Sequence, residues 1–129
     1  MPFISLTTNV QIKDLKSLNL ELSKSLIIKL SSETLGLPEA LVSVHVIQNE
    51  SLSFGGTSDP AFSLKIGTIS TEANIKYTEA YSAFLKEKLS ISNDRGFIFF
   101  VDVGKTNIGF KGTTVAVLQG ASVTNTKPE

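Results

Sequence analysis

A proline directly behind an initiator methionine is a latent amine. The small second residue favours removal of Met1, and trimming leaves Pro2 as the N-terminus with a free secondary amine. An unperturbed α-amino group titrates near pH ~8, and an apolar surrounding disfavours its charged form. A neutral amine at neutral pH can take a proton from carbon, so the chemistry Pro2 offers is general acid–base catalysis beside a carbonyl. The competing reading of the same residue is an ordinary Met-Pro start.

The other reactive side chains offer less. The chain has no cysteine, which excludes thiol catalysis, disulfides and thiolate-bound metal. His45 is the one histidine, with no carboxylate cluster around it in sequence, and reads as structural. Serines are abundant but lack the partners of a nucleophilic triad. Gly55-Gly56 is followed by neither Lys-Ser/Thr nor a helical pattern and reads as a turn, not a phosphate cradle. No cofactor and no metal are expected. Asp94 and Arg95 read as a local structural pair, and Asp102 as an exposed residue closing the last strand.

The 129 residues suffice for one domain with a core, and the 12 basic and 12 acidic residues balance without a basic block. Nucleic acid is therefore not an expected partner. The apolar stretches Leu26–Leu30 and Phe97–Val101 are too short to span a bilayer, and Lys13 and Lys16 interrupt the N-terminal region before it could read as a signal peptide. A cytoplasmic protein is the expectation.

These residues must be positioned by elements whose periods can be read. Residues 2–10 alternate and predict a strand. From Asp14, a candidate N-cap, Leu15, Leu18, Leu22, Leu26 and Leu30 recur at helical spacing, and Gly36 and Pro38 stop the segment. Leu41–Ile47 is β-branched and predicts a strand. The turn-rich Phe54–Pro60 segment leads to a strand over Ala61–Ile69, a helical stripe of Tyr77, Tyr81, Phe84, Leu85 and Leu89, and the apolar strand Phe97–Val101. The order is βαβ twice, an α+β fold with a four-stranded mixed sheet and two helices on one face. Leu41–Ile47 and Phe97–Val101 read as apolar on both faces, so the uncovered face is expected to meet another copy of the chain. The tail after Leu118 is polar and is expected to be loose. The domain is set at 1–118 and the tail at 119–129.

Seven segments, in order, carry a likeness. Met1-Pro2-Phe3-Ile4, Thr8-Asn9-Val10, Gly36-x-Pro38, Val44-His45-Val46, Phe54-Gly55-Gly56-Thr57-Ser58-Asp59-Pro60, Ser92-x-Asp94-Arg95 and Asn107-Ile108-Gly109-Phe110 resemble the macrophage migration inhibitory factor and D-dopachrome tautomerase family over about residues 1–118. The resemblance implies a homotrimer whose sheets close on one another. It implies a keto–enol tautomerase of small aromatic substrates such as phenylpyruvate, with Pro2 as the acid–base catalyst. It also implies the alternative of a cytokine-like protein that leaves cells without a signal peptide and binds a receptor.

The resemblance also assigns a pocket. Ile69 falls, counting without gaps from Pro60, where the family uses a backbone N–H to hold substrate; a register on Ile66-Gly67 needs a deletion inside the strand. Leu37 stands in Gly36-Leu37-Pro38 where the family has a lysine for the substrate carboxylate, and a leucine cannot make that charge-assisted bond. Phe97 and Phe99 stand where animal members carry a tyrosine and an asparagine reaching in from a neighbouring subunit. Ile108 matches the pocket wall and Phe110 an aromatic at its mouth, while Phe3 adds to the wall. Lys65, Lys105 and Lys111 are other cations, each read as a surface charge.

Overall fold

A computed structural model describes residues 3–32, 42–67, 74–118 and 120, the side chains of 25–32 excepted. Pro2, Leu37, Ile69 and the tail from 121 lie outside the described residues. Strand β1 (Phe3–Thr8) leads to helix α1 (Leu15–Ser32) and strand β2 (Ser43–Gln48); β3 (Phe62–Gly67), α2 (Asn74–Leu89) and β4 (Gly96–Val101) repeat the order. The sheet runs β2-β1-β3-β4. β1 pairs parallel with β2, β3 pairs parallel with β4, and the two central strands join the halves antiparallel. The tandem βαβ reading and the mixed sheet therefore hold.

The alternation in β1 has a direct consequence. Ile4, Leu6 and Thr8 are buried, and Phe62, Leu64 and Ile66 of β3 join them beneath Leu18 and Leu22 of α1 and Tyr77, Tyr81 and Leu85 of α2. Burying such a side chain contributes about 1.5–3 kcal/mol, so this row carries much of the fold. Thr8 is tolerated there because its hydroxyl donates to the Ala61 carbonyl at 2.7 Å and accepts from the Val10 amide at 3.1 Å.

The helix ends follow from local chemistry. The Asp14 carboxylate accepts from the Ser17 amide at 3.0 Å, the N-cap expected of it. At the end of α2, Ser90 takes a left-handed φ of 57°. Its amide donates to Lys86 and the Ile91 amide to Leu85, while buried Ile91 packs into the core. This is an αL stop, the Ser90 amide bonded four residues back, with serine where glycine is usual.

Along the opposite face the register sets three rows: Ser43, Phe3, Gly67 and Val101; His45, Ser5, Lys65 and Phe99; Ile47, Thr7, Ser63 and Phe97. Among the described residues no helix packs on this face. The expectation that β2 is apolar on both sides fails here: Val44 and Val46 turn to the core, but Ser43 and exposed His45 turn outward with Ile47. The β-branched run conceals a period of two. β4 does keep apolar residues on both faces, Ile98 and Phe100 inward and Phe97 and Phe99 outward.

Beyond β4 the chain forms a short 3-10 turn (Lys105–Asn107), a hairpin of β5 (Gly109–Phe110) and β6 (Thr113–Thr114), and a single-turn helix α3 (Val115–Leu118). The hairpin turn is Lys111-Gly112, both at positive φ (54° and 78°), the geometry that matches strand twist. The sequence reading had no hairpin there; Lys-Gly before Thr-Thr was its available signal.

Candidate active site

Register, rather than sequence distance, gathers the candidate residues. Phe3 opens β1 and pairs with Gly67 at the end of β3 and with Ser43 at the start of β2; Gly67 in turn pairs with Val101 at the end of β4. One edge of the sheet therefore collects the start of β1, immediately after Pro2, and the end of β3, two residues before Ile69. The start of β2, six residues after Leu37, lies at the same edge. The antiparallel pairing of the two βαβ halves is what brings the first strand's beginning beside the third strand's end.

Phe97 and Phe99 sit together, but not at that edge within one chain. Their rings are 6.1 Å apart on the uncovered face. Phe97 is 63 % exposed and Phe99 46 %. Phe97 lies in the Thr7 row, four residues from the Phe3 row, roughly 13 Å along the strands and about 10 Å across them. Within one chain Phe97 is thus well removed from Phe3, while Phe99, in the Ser5 row, is two residues nearer along the strands.

Ile108 is half-buried, and its carbonyl accepts from the Val115 amide at 2.8 Å, which ties the hairpin to α3. Phe110 is exposed at the hairpin tip, with the Lys111 ammonium 5.7 Å from its ring centre. A groove of about 330 Å³ lies elsewhere, between α1 and β2, lined by Leu15, Lys16, Asn19, Leu20 and Val46. No group of three or more metal-ligating side chains occurs among the described residues. No described helix is long and apolar enough to cross a membrane.

The loop that leads into β3 is gripped from two sides. Arg95 donates through Nε to Pro60 O at 3.1 Å, through Nη1 to Phe54 O at 2.9 Å, and through Nη2 to Thr57 Oγ1 at 2.9 Å and Asp59 O at 3.1 Å. The Asn9 amide nitrogen donates to Leu52 O, Ser58 O and Asp59 O, and its oxygen accepts from the Ala61 amide at 2.9 Å. Gly55 and Gly56, at φ of 60° and 79°, supply the left-handed turn between Phe54 and Thr57. The pairing expected of Asp94 with Arg95 is thus displaced: the guanidinium fork is occupied by loop oxygens. The same guanidinium lies 5.4 Å from the Phe54 ring centre, and Phe54 meets Phe97 edge-on at 5.4 Å. The loop clamp therefore also braces the aromatic wall.

Sequence reasoning left Lys65 unplaced. Its position follows from parity: Phe62, Leu64 and Ile66 turn inward, so Ser63, Lys65 and Gly67 turn outward, and Lys65 falls in register with Phe99 on one side and Ser5 on the other.

Comparison with known proteins follows this geometry. The macrophage migration inhibitory factor family model matches residues 1–116. A macrophage migration inhibitory factor homolog from Brugia malayi is 30 % identical over 117 residues, covering 88 % of this chain and 98 % of its own. The homolog from Trichinella spiralis is 32 % identical over 117 residues, with 88 % and 99 % covered. The solved structure of the Trichinella spiralis factor superposes with a TM-score of 0.77 at 28 % identity, covering 87 % of this chain and 98 % of that one.

Proposed function

The chain belongs to the macrophage migration inhibitory factor family, and from that premise we propose that it is a cofactor-free keto–enol tautomerase acting through the N-terminal amine of Pro2. The observation that carries the reading is the register at the sheet edge, where the residue following Pro2 pairs with Gly67, two residues before Ile69. Family membership supports tautomerase or cytokine-like function in general.

The amine of Pro2 takes a proton from the carbon beside the carbonyl and returns a proton to the carbonyl oxygen, giving the enol; the reverse path restores the ketone. The amine starts and ends neutral, so no other reactant is needed. Its effectiveness rests on a pKa near ambient pH, which a dry surrounding lowers toward neutrality. The backbone N–H of Ile69 donates to the substrate. Phe97 and Phe99 come from a neighbouring subunit of a homotrimer, and Ile108 and Phe110 close the wall and mouth. These apolar residues suit an aromatic ring and exclude water.

One observation favours a second reading, a cytokine-like binding protein with little catalysis: Leu37 stands where the family's carboxylate-binding lysine would be. The discriminating experiment follows phenylpyruvate keto–enol conversion near pH 7 by Met1-processed protein beside a Pro2→Gly variant. Turnover that vanishes in the variant supports the enzyme. No turnover by folded, processed protein overturns it in favour of binding.

A further inference from the structure

We infer that Lys65 is the cation that receives the anionic end of an aromatic substrate, taking over the contact that Leu37 cannot make. The inference rests on the tautomerase reading for the identity of the substrate, but on the uncovered sheet face for the site. Across the twelve positions of that face, Lys65 carries the one permanent charge, and no aspartate or glutamate shares the face with it. Lys65 is exposed and has no ion pair among the described residues. A charge with no counter-ion among the described residues, on a face whose other positions are serine and threonine hydroxyls, phenylalanine rings, His45, Gly67, Ile47 and Val101, is complementary to an anion.

The neighbours define which anion. Lys65 pairs with Phe99 on β4, whose ring lies 6.1 Å from that of Phe97, and with Ser5 on β1. Two exposed rings beside an ammonium and a hydroxyl suit a ligand with a planar apolar body and a carboxylate. Lys65 stands on the strand next to Phe99, about 5 Å away across the ladder, and its flexible four-carbon stem spans more than that. If Phe99 walls a neighbour's pocket, Lys65 enters with it, so the ammonium and Pro2 of one site come from different subunits. A family-type lysine at position 37 and Lys65 would thus be two solutions to one electrostatic requirement.

The test uses the Met1-processed full chain and its Lys65→Met and Lys65→Arg variants, with phenylpyruvate and its neutral methyl ester as substrates. Lys65→Met is expected to raise KM for the acid about tenfold or more, the loss typical of a charge-assisted bond, with kcat and the ester kinetics little changed. Lys65→Arg should restore most of the acid preference. Calorimetric titration with 3-phenylpropanoate, which has ring and carboxylate but no ketone, reads the site without catalysis. Weakened binding by Lys65→Met supports the inference even if no protein turns substrate over, in which case the tautomerase reading alone fails. Turnover that requires Pro2, with acid and ester affected equally or not at all by Lys65→Met and unchanged 3-phenylpropanoate binding, overturns the inference and leaves the tautomerase standing.

Discussion

Replacing Arg95 by alanine should loosen the Phe54–Pro60 loop. The guanidinium makes four hydrogen bonds to that loop. Hydrogen bonds to charged groups contribute about 1.5–3 kcal/mol each when water is excluded, but far less where water competes. Three of the four are exposed; the bond to the Phe54 carbonyl is half-buried, so it alone is counted in full. Adding about 0.5–1 kcal/mol for the cation over the Phe54 ring gives a total loss of about 2–4 kcal/mol.

Urea unfolding at fixed protein concentration reads this directly, since an oligomer's stability moves with concentration. With a slope of about 2 kcal/mol per molar urea, the midpoint should fall by roughly 1–2 M. Arg95→Lys should recover under half of the loss, because a point charge cannot span four acceptors arranged around a planar fork. The Asn9→Ala variant releases the same Asp59 carbonyl from the other side. The pair should therefore couple by about 0.5–1 kcal/mol in a double-mutant cycle. An Arg95→Ala loss below about 1 kcal/mol, or a lysine variant as stable as the parent, would refute the clamp.

Four further outcomes are expected. Among the described residues the buried Tyr81 hydroxyl has no hydrogen-bond partner, so Tyr81→Phe should be neutral or stabilising by up to about 1 kcal/mol in the same unfolding assay. Burial, and then Tyr77 beside it, hold the Tyr81 hydroxyl protonated well above the usual tyrosine range. Above pH ~10 the unfolded tyrosine loses its proton while native Tyr81 keeps it, so stability falls as pH rises, by up to about 1.4 kcal/mol per unit, and this component should be missing from Tyr81→Phe. Ser90→Gly relieves a left-handed residue at the helix stop and should raise stability by about 0.5–1 kcal/mol, read as a higher urea midpoint. A Cβ on Gly96 would run into the Phe62 carbonyl oxygen and ring at the start of β4, so Gly96→Ala should cost at least about 1–3 kcal/mol in thermal or urea unfolding.

The fold was legible because its core obeys two simple periods. Leu18 and Leu22 are helix-spaced, Ile4 and Leu6 are strand-spaced, and each set ends buried in the same layer. The run Leu41–Ile47 misled because valine and isoleucine serve either face of a strand, and only pairing with β1 decides which face each takes. Arg95 misled for a different reason. Adjacent Asp94 suggested a local pair, whereas its acceptors at Phe54, Thr57, Asp59 and Pro60 are 35 to 41 residues away and become available only once β3 and β4 align. The candidate site was legible as a list of residue types through family resemblance, but spatial proximity is a property of register. Nothing local in Phe3 or Gly67 says that β1 and β3 run antiparallel side by side.

The uncovered face carries the last step. Its rows set exposed Phe97 and Phe99 on one border strand and Ser43, His45 and Ile47 on the other, with Ser5, Thr7, Ser63 and Lys65 between. A face destined only for a dry interface would have no reason to keep a lysine at its centre, because burying an unpaired ammonium costs several kcal/mol. A face destined only for water would have no reason to expose two phenylalanine rings side by side. Both facts are reconciled if the aromatic border meets another subunit while the polar centre stays solvated or holds an anion. Under the proposed tautomerase function, that division makes the uncovered face part of the substrate's surroundings rather than packing alone.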